Sequence, residues 1–147
     1  MTDYPTSWWE YVRDAAGGIV YSEWQNDIKS PMMRNLETKE VASSPDLPVG
    51  ALYVMHDPEN WYGKGSDGLT IGCRCLGGHT WIIDGRASNC TMMNDKEHRC
   101  WVRHGTVGER LTVDKNGKTC GAGAGSFFMG RNNEWHGFLI DGVLVQR

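Results

Sequence analysis

The sequence predicts a mainly β fold, a small barrel or sandwich of short antiparallel strands, with an N-terminal α-helical extension. The extension spans residues 1–47 and a β-rich, Cys/His-containing domain spans 48–147. Three observations lead there. All five prolines lie in the first 58 residues, whereas seventeen of the nineteen glycines lie from Gly50 onward. Beyond Gly50, short runs of β-branched and aromatic residues alternate with glycine turns, the mark of many short strands. Before it, Ser7-Trp8-Trp9-Glu10 matches a helix capping box, a Ser hydroxyl facing the third amide on and a Glu reaching back.

Taken in order, Trp8, Tyr11, Val12 and Ala15 share one stripe of the expected helix, and Gly17-Gly18 would stop it. A second short element is expected over 19–29, around Ile19, Tyr21, Trp24 and Ile28, and a weak helix plus linker over 32–48. Strands follow at Ala51–Met55, Leu69–Cys73, His79–Ile83, Arg99–Arg103, Leu111–Val113, Ser126–Met129 and Trp135–Ile140. Asp84-Gly85, Asn116-Gly117 and Asp141-Gly142 are turn dipeptides at strand ends. Trp81 to Gly105 and Leu111 to Gly142 share an outline of strand, small-residue corner (Ala87-Ser88, Gly125-Ser126), loop and strand. That outline suggests an internal duplication with two similar β units packed together.

Composition excludes several classes. With 39% hydrophobic residues in 147 there is material for a core. No apolar run reaches the ~18 residues of a membrane span. A net charge of −3 argues against nucleic acid as the main partner. The start, Met1-Thr2-Asp3-Tyr4-Pro5, lacks the basic flank and apolar stretch of a secretory signal, so a reducing cytosol is expected.

The chemical signal is sulfur and imidazole crowded into one half. All five cysteines, and four of the five histidines, lie beyond residue 72. An odd number cannot pair completely within the chain. Structural zinc takes four tetrahedral ligands from thiolate and imidazole. Aligning the two repeat units brings Cys90, Cys100, Cys120 and His136 together as a Cys₃His set, with His98 as a substitute ligand two residues from Cys100. Cys73 and Cys75, two apart on a strand, face one side and with His79 form a candidate second site. The same cysteines also suit a buried core, where thiols act as small apolar fillers, or a disulfide or reactive thiol.

Arg86, Arg99 and Arg103 are candidates for an anion site, since guanidinium forks suit phosphate and carboxylate; a solvated, ion-paired strand face is the alternative. Cys120 to Ser126 is glycine-rich but lacks the Lys-Ser/Thr of a phosphate loop, and fits a close backbone crossing. Trp8, Trp9, Trp24 and Trp61 either dock onto the β core or form an aromatic patch for a protein partner. No clear catalytic constellation is present. Cys90 or Cys100 with His98 and Asp95 is the nearest approach to one. The enzyme alternative is a metal- or cysteine-dependent hydrolase acting on a small phosphorylated substrate through the arginines.

The string Asp84-Gly85-Arg86-Ala87-Ser88-Asn89-Cys90-Thr91, followed by His98-Arg99-Cys100-Trp101-Val102-Arg103-His104-Gly105, resembles a family of small proteins encoded by tailed bacteriophages and prophages. Thr112 to Gly117, Thr119-Cys120, Ala122 to Ser126 and His136 to Leu139 continue the similarity in order, and Gly50 to Tyr53 precedes it. It covers roughly residues 48–145. The resemblance implies that Cys90, Cys100, Cys120 and His136 are recurrent positions, whereas Cys73 and Cys75 do not clearly match. It carries no activity. It implies a phage-encoded protein at work in the host bacterial cytoplasm, or one carried in the virion. The expected function is therefore a small binding module, stabilised by structural zinc, for a host or phage macromolecule, in host takeover, counter-defence or particle assembly.

Overall fold

The computed structural model describes residues 3–23, 28–56, 63–86, 90–121, 127–129 and 135–146. Among the described residues twelve strands form three sheets. The first sheet has the order β1-β12-β11-β10, built from Asp3–Pro5, Val143–Gln146, Trp135–Ile140 and Phe127–Met129. The second has the order β4-β3-β2-β5-β6-β7: Val41–Ser43, Met32–Asn35, Ser7–Tyr11, Ala51–Val54, Ile71–Arg74 and Thr80–Ile82. The third is the hairpin of β8, Val102–His104, and β9, Thr112–Asp114. Among the described residues no helix is long and apolar enough to cross a membrane.

The N-terminal α-helical extension is not there. Among the described residues the helical turns are two three-residue 3-10 segments, Ser44–Asp46 and Leu76–Gly78. Residues 7–11 run as the centre of a sheet, parallel to β5 (Ser7↔Ala51) and antiparallel to β3 (Glu10↔Arg34). The capping-box side chains serve the strand instead. The Ser7 hydroxyl accepts the Trp9 indole N–H at 2.9 Å, and Glu10 lies 4.0 Å from Arg34 across the pair. Gly17-Gly18 belongs to a hairpin turn in which Asp14 Oδ1 accepts from the amides of Ala16 (3.0 Å) and Gly18 (2.9 Å). The expected weak helix and linker at 32–48 is β3, a turn closed by Asn35, β4 and the first 3-10 segment, with Leu47 buried.

Strand pairing joins the first 47 residues to the rest. β1 pairs with β12 (Tyr4↔Leu144) and the next strand enters the second sheet beside β5. Thr6, between them, donates through both its amide (2.9 Å) and its hydroxyl (2.7 Å) to the Gly142 carbonyl. Pro5 sits on an edge strand, where its missing N–H costs no sheet bond.

The second sheet buries both faces. Leu52, Ile71, Cys73 and Cys75 face Ile83, Leu111, Val113, Leu139 and Leu144, so one core draws on all three sheets. Trp9, Met33, Leu47, Ala51 and Tyr53 form a second core on the opposite side. Burial of that apolar surface, at roughly 25 cal/mol per Å², is the main stabilising term. The two proposed repeat units do not pair alike: β8 pairs with β9, whereas β11 lies between β10 and β12. The corners Ala87-Ser88 and Gly125-Ser126, together with Trp24 and Trp61, lie outside the described residues.

Candidate metal centre

The hairpin β8–β9 sets up the site. Val102 pairs with Asp114, which brings the segment before β8 beside the segment after β9. Asn116 and Gly117 turn the chain, with Asp114 Oδ1 accepting the Asn116 amide at 2.8 Å. The chain then returns toward Cys100, and Cys120 arrives there. On the other side, Asp95 shapes the loop that precedes β8. Its Oδ1 accepts the amides of Glu97 (3.0 Å) and His98 (3.3 Å), a side-chain-closed turn. Lys118 pairs with Asp95 at 2.8 Å and holds its carboxyl below the usual range. Arg86 fastens the same loop by donating to the carbonyls of Met92 (2.7 Å) and Asp95.

Cys90, His98, Cys100 and Cys120 converge, their ligand atoms all within 4.8 Å of one another and so close enough to hold a metal ion. His98 Nε2 lies 3.4 Å from Cys90 Sγ and 3.6 Å from Cys100 Sγ. A tetrahedral zinc, at about 2.3 Å from sulfur and about 2.0 Å from nitrogen, requires sulfur–nitrogen separations of about 3.5 Å. The set is therefore compatible with zinc in donor chemistry, count and spacing. His98 and Cys100 are buried, Cys90 and Cys120 half-buried.

Contacts around the ligands suit metal binding. His98 Nδ1 lies 3.0 Å from the Lys118 carbonyl oxygen, which can only accept, so Nδ1 carries the proton and Nε2 presents its lone pair to the sulfurs. The Met92 amide donates to Cys90 Sγ at 3.4 Å and the Arg86 guanidinium approaches it at 3.9 Å.

Among the described residues, His98, expected as a substitute, is the imidazole that stands with the three cysteines. His136 is a β11 residue opposite Phe128, and its side chain lies outside the described residues. Four ligands are present without it. The sequence held the signal for His98: in His98-Arg99-Cys100 the outer two side chains of an extended segment face one way.

The second candidate site is not formed. Cys73 and Cys75 do share a face, but it is the face turned into the core, where they are 0% and 1% exposed. The hydrogen bond with Cys75 and then burial push the Cys73 thiol well above its ordinary value, opposing the thiolate a metal needs. His79 is exposed and is not grouped with them. None of the five cysteines is in a disulfide.

The three arginines do not make one anion site. Arg86 holds the 92–95 loop. Arg99 donates to the carbonyls of Lys96 (2.8 Å) and His98 (2.9 Å). Arg103 is fully engaged: Nε reaches the Asp84 carboxylate at 2.8 Å, the two terminal nitrogens clasp Asp67 at 3.0 and 2.7 Å, and one also meets the Leu69 carbonyl. The Arg103–Asp84 pair agrees with the ion-paired alternative, but Asp84 is buried and also accepts the Ile71 amide at 2.8 Å, and the clasp on Asp67 was not foreseen. The thiol–imidazole–carboxylate arrangement also fails, because His98 Nδ1 turns to a carbonyl while Asp95 takes the backbone amide. Of the tryptophans expected to dock or form a patch, Trp9 is buried and Trp8 packs on the main core, its indole N–H donating to the Glu109 carbonyl at 2.7 Å. The glycine-rich stretch from Ala122 to Ser126 lies outside the described residues. No protein-family model, curated protein or solved structure matches this chain.

Proposed function

We propose that this chain is a small β module, held together by a structural zinc at Cys90, His98, Cys100 and Cys120, whose work is to bind a macromolecular partner. One observation carries the structural role of the metal. Four side chains, one imidazole and three thiols, stand close enough together to supply a complete tetrahedral shell, whereas a catalytic zinc keeps a position open for water or substrate. The ligands also come from two chain segments, so the ion staples the loop before β8 to the connection after β9.

Exposed apolar side chains support the binding reading. Of the cations of the expected anion site, Arg86 and Arg103 are spent on internal contacts, and Arg99 donates through one nitrogen to two backbone carbonyls. Apolar side chains meanwhile stand in solvent, among them Ile28 (64% exposed), Met93 (60%) and Tyr21 (51%), groups suited to a protein surface. The resemblance to tailed-phage proteins supports placing that partner in an infected bacterium, as a host target or as a component of the particle.

Elemental analysis of protein purified without added metal tests the first half. About one zinc per chain is expected, and a chelator should lower the melting temperature. Metal-free protein with an unchanged melt refutes the staple. Capture from infected-cell lysate tests the second half: a stoichiometric partner supports it, and recovery of nothing above background counts against it.

A further inference from the structure

We propose that Lys115 is a positioning residue of the metal centre: its ammonium group ties together the two segments that carry the ligands and offsets the charge of the thiolate cluster. This rests on the zinc reading above. Lys115 Nζ donates to the carbonyl oxygen of Cys100 at 2.5 Å and to that of Cys120 at 3.2 Å. Those ligands sit on opposite arms of the β8–β9 hairpin, one before β8 and one after β9. A single side chain therefore fixes the distance between two ligand-bearing backbones.

The ammonium is itself held in place. It lies 4.4 Å from the centre of the Trp101 ring, a cation–π distance, and Trp101 meets Phe138 of β11 edge-on at 6.1 Å. Electrostatics gives the contact its purpose. A divalent ion with three thiolates and a neutral imidazole leaves one net negative charge in a largely buried place. Arg86 approaches that charge from the Cys90 side, and Lys115 approaches from the Cys100–Cys120 side. Partners behind metal ligands commonly tune affinity by 10–100-fold.

The experiment measures zinc affinity by chelator competition, and the cobalt-substituted spectrum, for the wild type, Lys115→Met and Lys115→Arg. Lys115→Met is expected to bind zinc about 10–100-fold more weakly. Its thiolate-to-cobalt charge-transfer band should move to longer wavelength, because removing a cation makes the thiolates better electron donors. Lys115→Arg, which keeps the charge, should recover most of both. A role confined to general stability would lower the melting temperature without moving the band. Equal affinity and an unmoved band in Lys115→Met overturn the proposal.

Should Lys115→Met fail to fold, the zinc-loaded wild type decides. Acetic anhydride is expected to label Lys115 far more slowly than the exposed Lys96, and equal labelling overturns the proposal. A wild-type protein that takes up neither zinc nor cobalt refutes the metal reading itself, a separately recognisable failure.

Discussion

The Lys118 carbonyl oxygen lies 3.0 Å from His98 Nδ1 and accepts the Arg99 amide at the same distance. One backbone oxygen thus sets the tautomer of the imidazole and pins the strand-like segment that carries it. The ring nitrogen aimed at the cysteines is Nε2, the atom a metal ligand must present.

That relationship separates the two histidines. His98→Ala is expected to lose tight zinc binding, whereas His136→Ala keeps it. Isothermal titration of zinc into metal-free protein checks both. A reversed order would return the fourth position to His136.

Arg103 and Asp84 give a prediction with a pH sign. Arg103→Met leaves the buried Asp84 carboxylate uncompensated and should cost about 3 kcal/mol at neutral pH. Burial holds the Asp84 carboxyl above its usual range even with the guanidinium beside it, so its contribution to stability falls as pH rises through that raised value. Asp67 is the opposite case. The Arg103 hydrogen bond depresses its carboxyl, and the stability gained is present above about pH 3.9 and lost as pH falls through the lowered value. The Asp84 contribution makes the gap between wild type and variant widest at neutral pH and narrower toward about pH 4, whereas the Asp67 contribution narrows it only below that. Urea unfolding at the two pH values reads the difference, and the metal centre, common to both proteins, cancels.

Two glycines should differ in how badly they tolerate alanine. Gly142 follows Asp141, and both have positive φ (76° and 45°), the geometry of a tight hairpin turn. A Cβ at Gly142 would meet Arg110 Cγ at 2.9 Å and Cβ at 3.1 Å, so the exposed Arg110 side chain must turn at its base and its Cβ give slightly. At Gly50, φ is +92° and a Cβ would stand 2.6 Å from the Pro5 carbonyl oxygen, which cannot move without shifting β1. Gly142→Ala is expected to cost about 1 kcal/mol and Gly50→Ala at least about 2 kcal/mol. Chemical denaturation with equal m-values would establish the order.

Deleting residues 1–11 should abolish folding, because it removes β1 from one sheet and the central β2 from the other. A dispensable extension would leave a folded remainder. Circular dichroism and proton NMR dispersion of the truncated chain distinguish the outcomes.

Of the described strands beyond Gly50, β5 to β11 were legible as runs rich in Val, Ile, Thr and aromatic residues, three of them closed by Asp-Gly or Asn-Gly turns, whereas β12 was not read. The N-terminal strands were not, and β2 shows why. Trp8 packs on the main core while Trp9, next to it, is buried in the second. A strand apolar on both faces has no period-two alternation, so a helical stripe and a Ser-x-x-Glu box were the signals left to read. Three members of the Cys/His cluster were legible from residue type and crowding. The fourth depended on which histidine the hairpin brings near, a tertiary fact. Lys115 acts through backbone carbonyls of distant residues, which leave no trace in local pattern.

The pairing of Asp3 with Val145 has a consequence for biosynthesis. A nascent chain cannot complete this sheet until β12 has cleared the ribosome. β1 meanwhile waits as an unsatisfied edge. Such high contact order predicts slow folding.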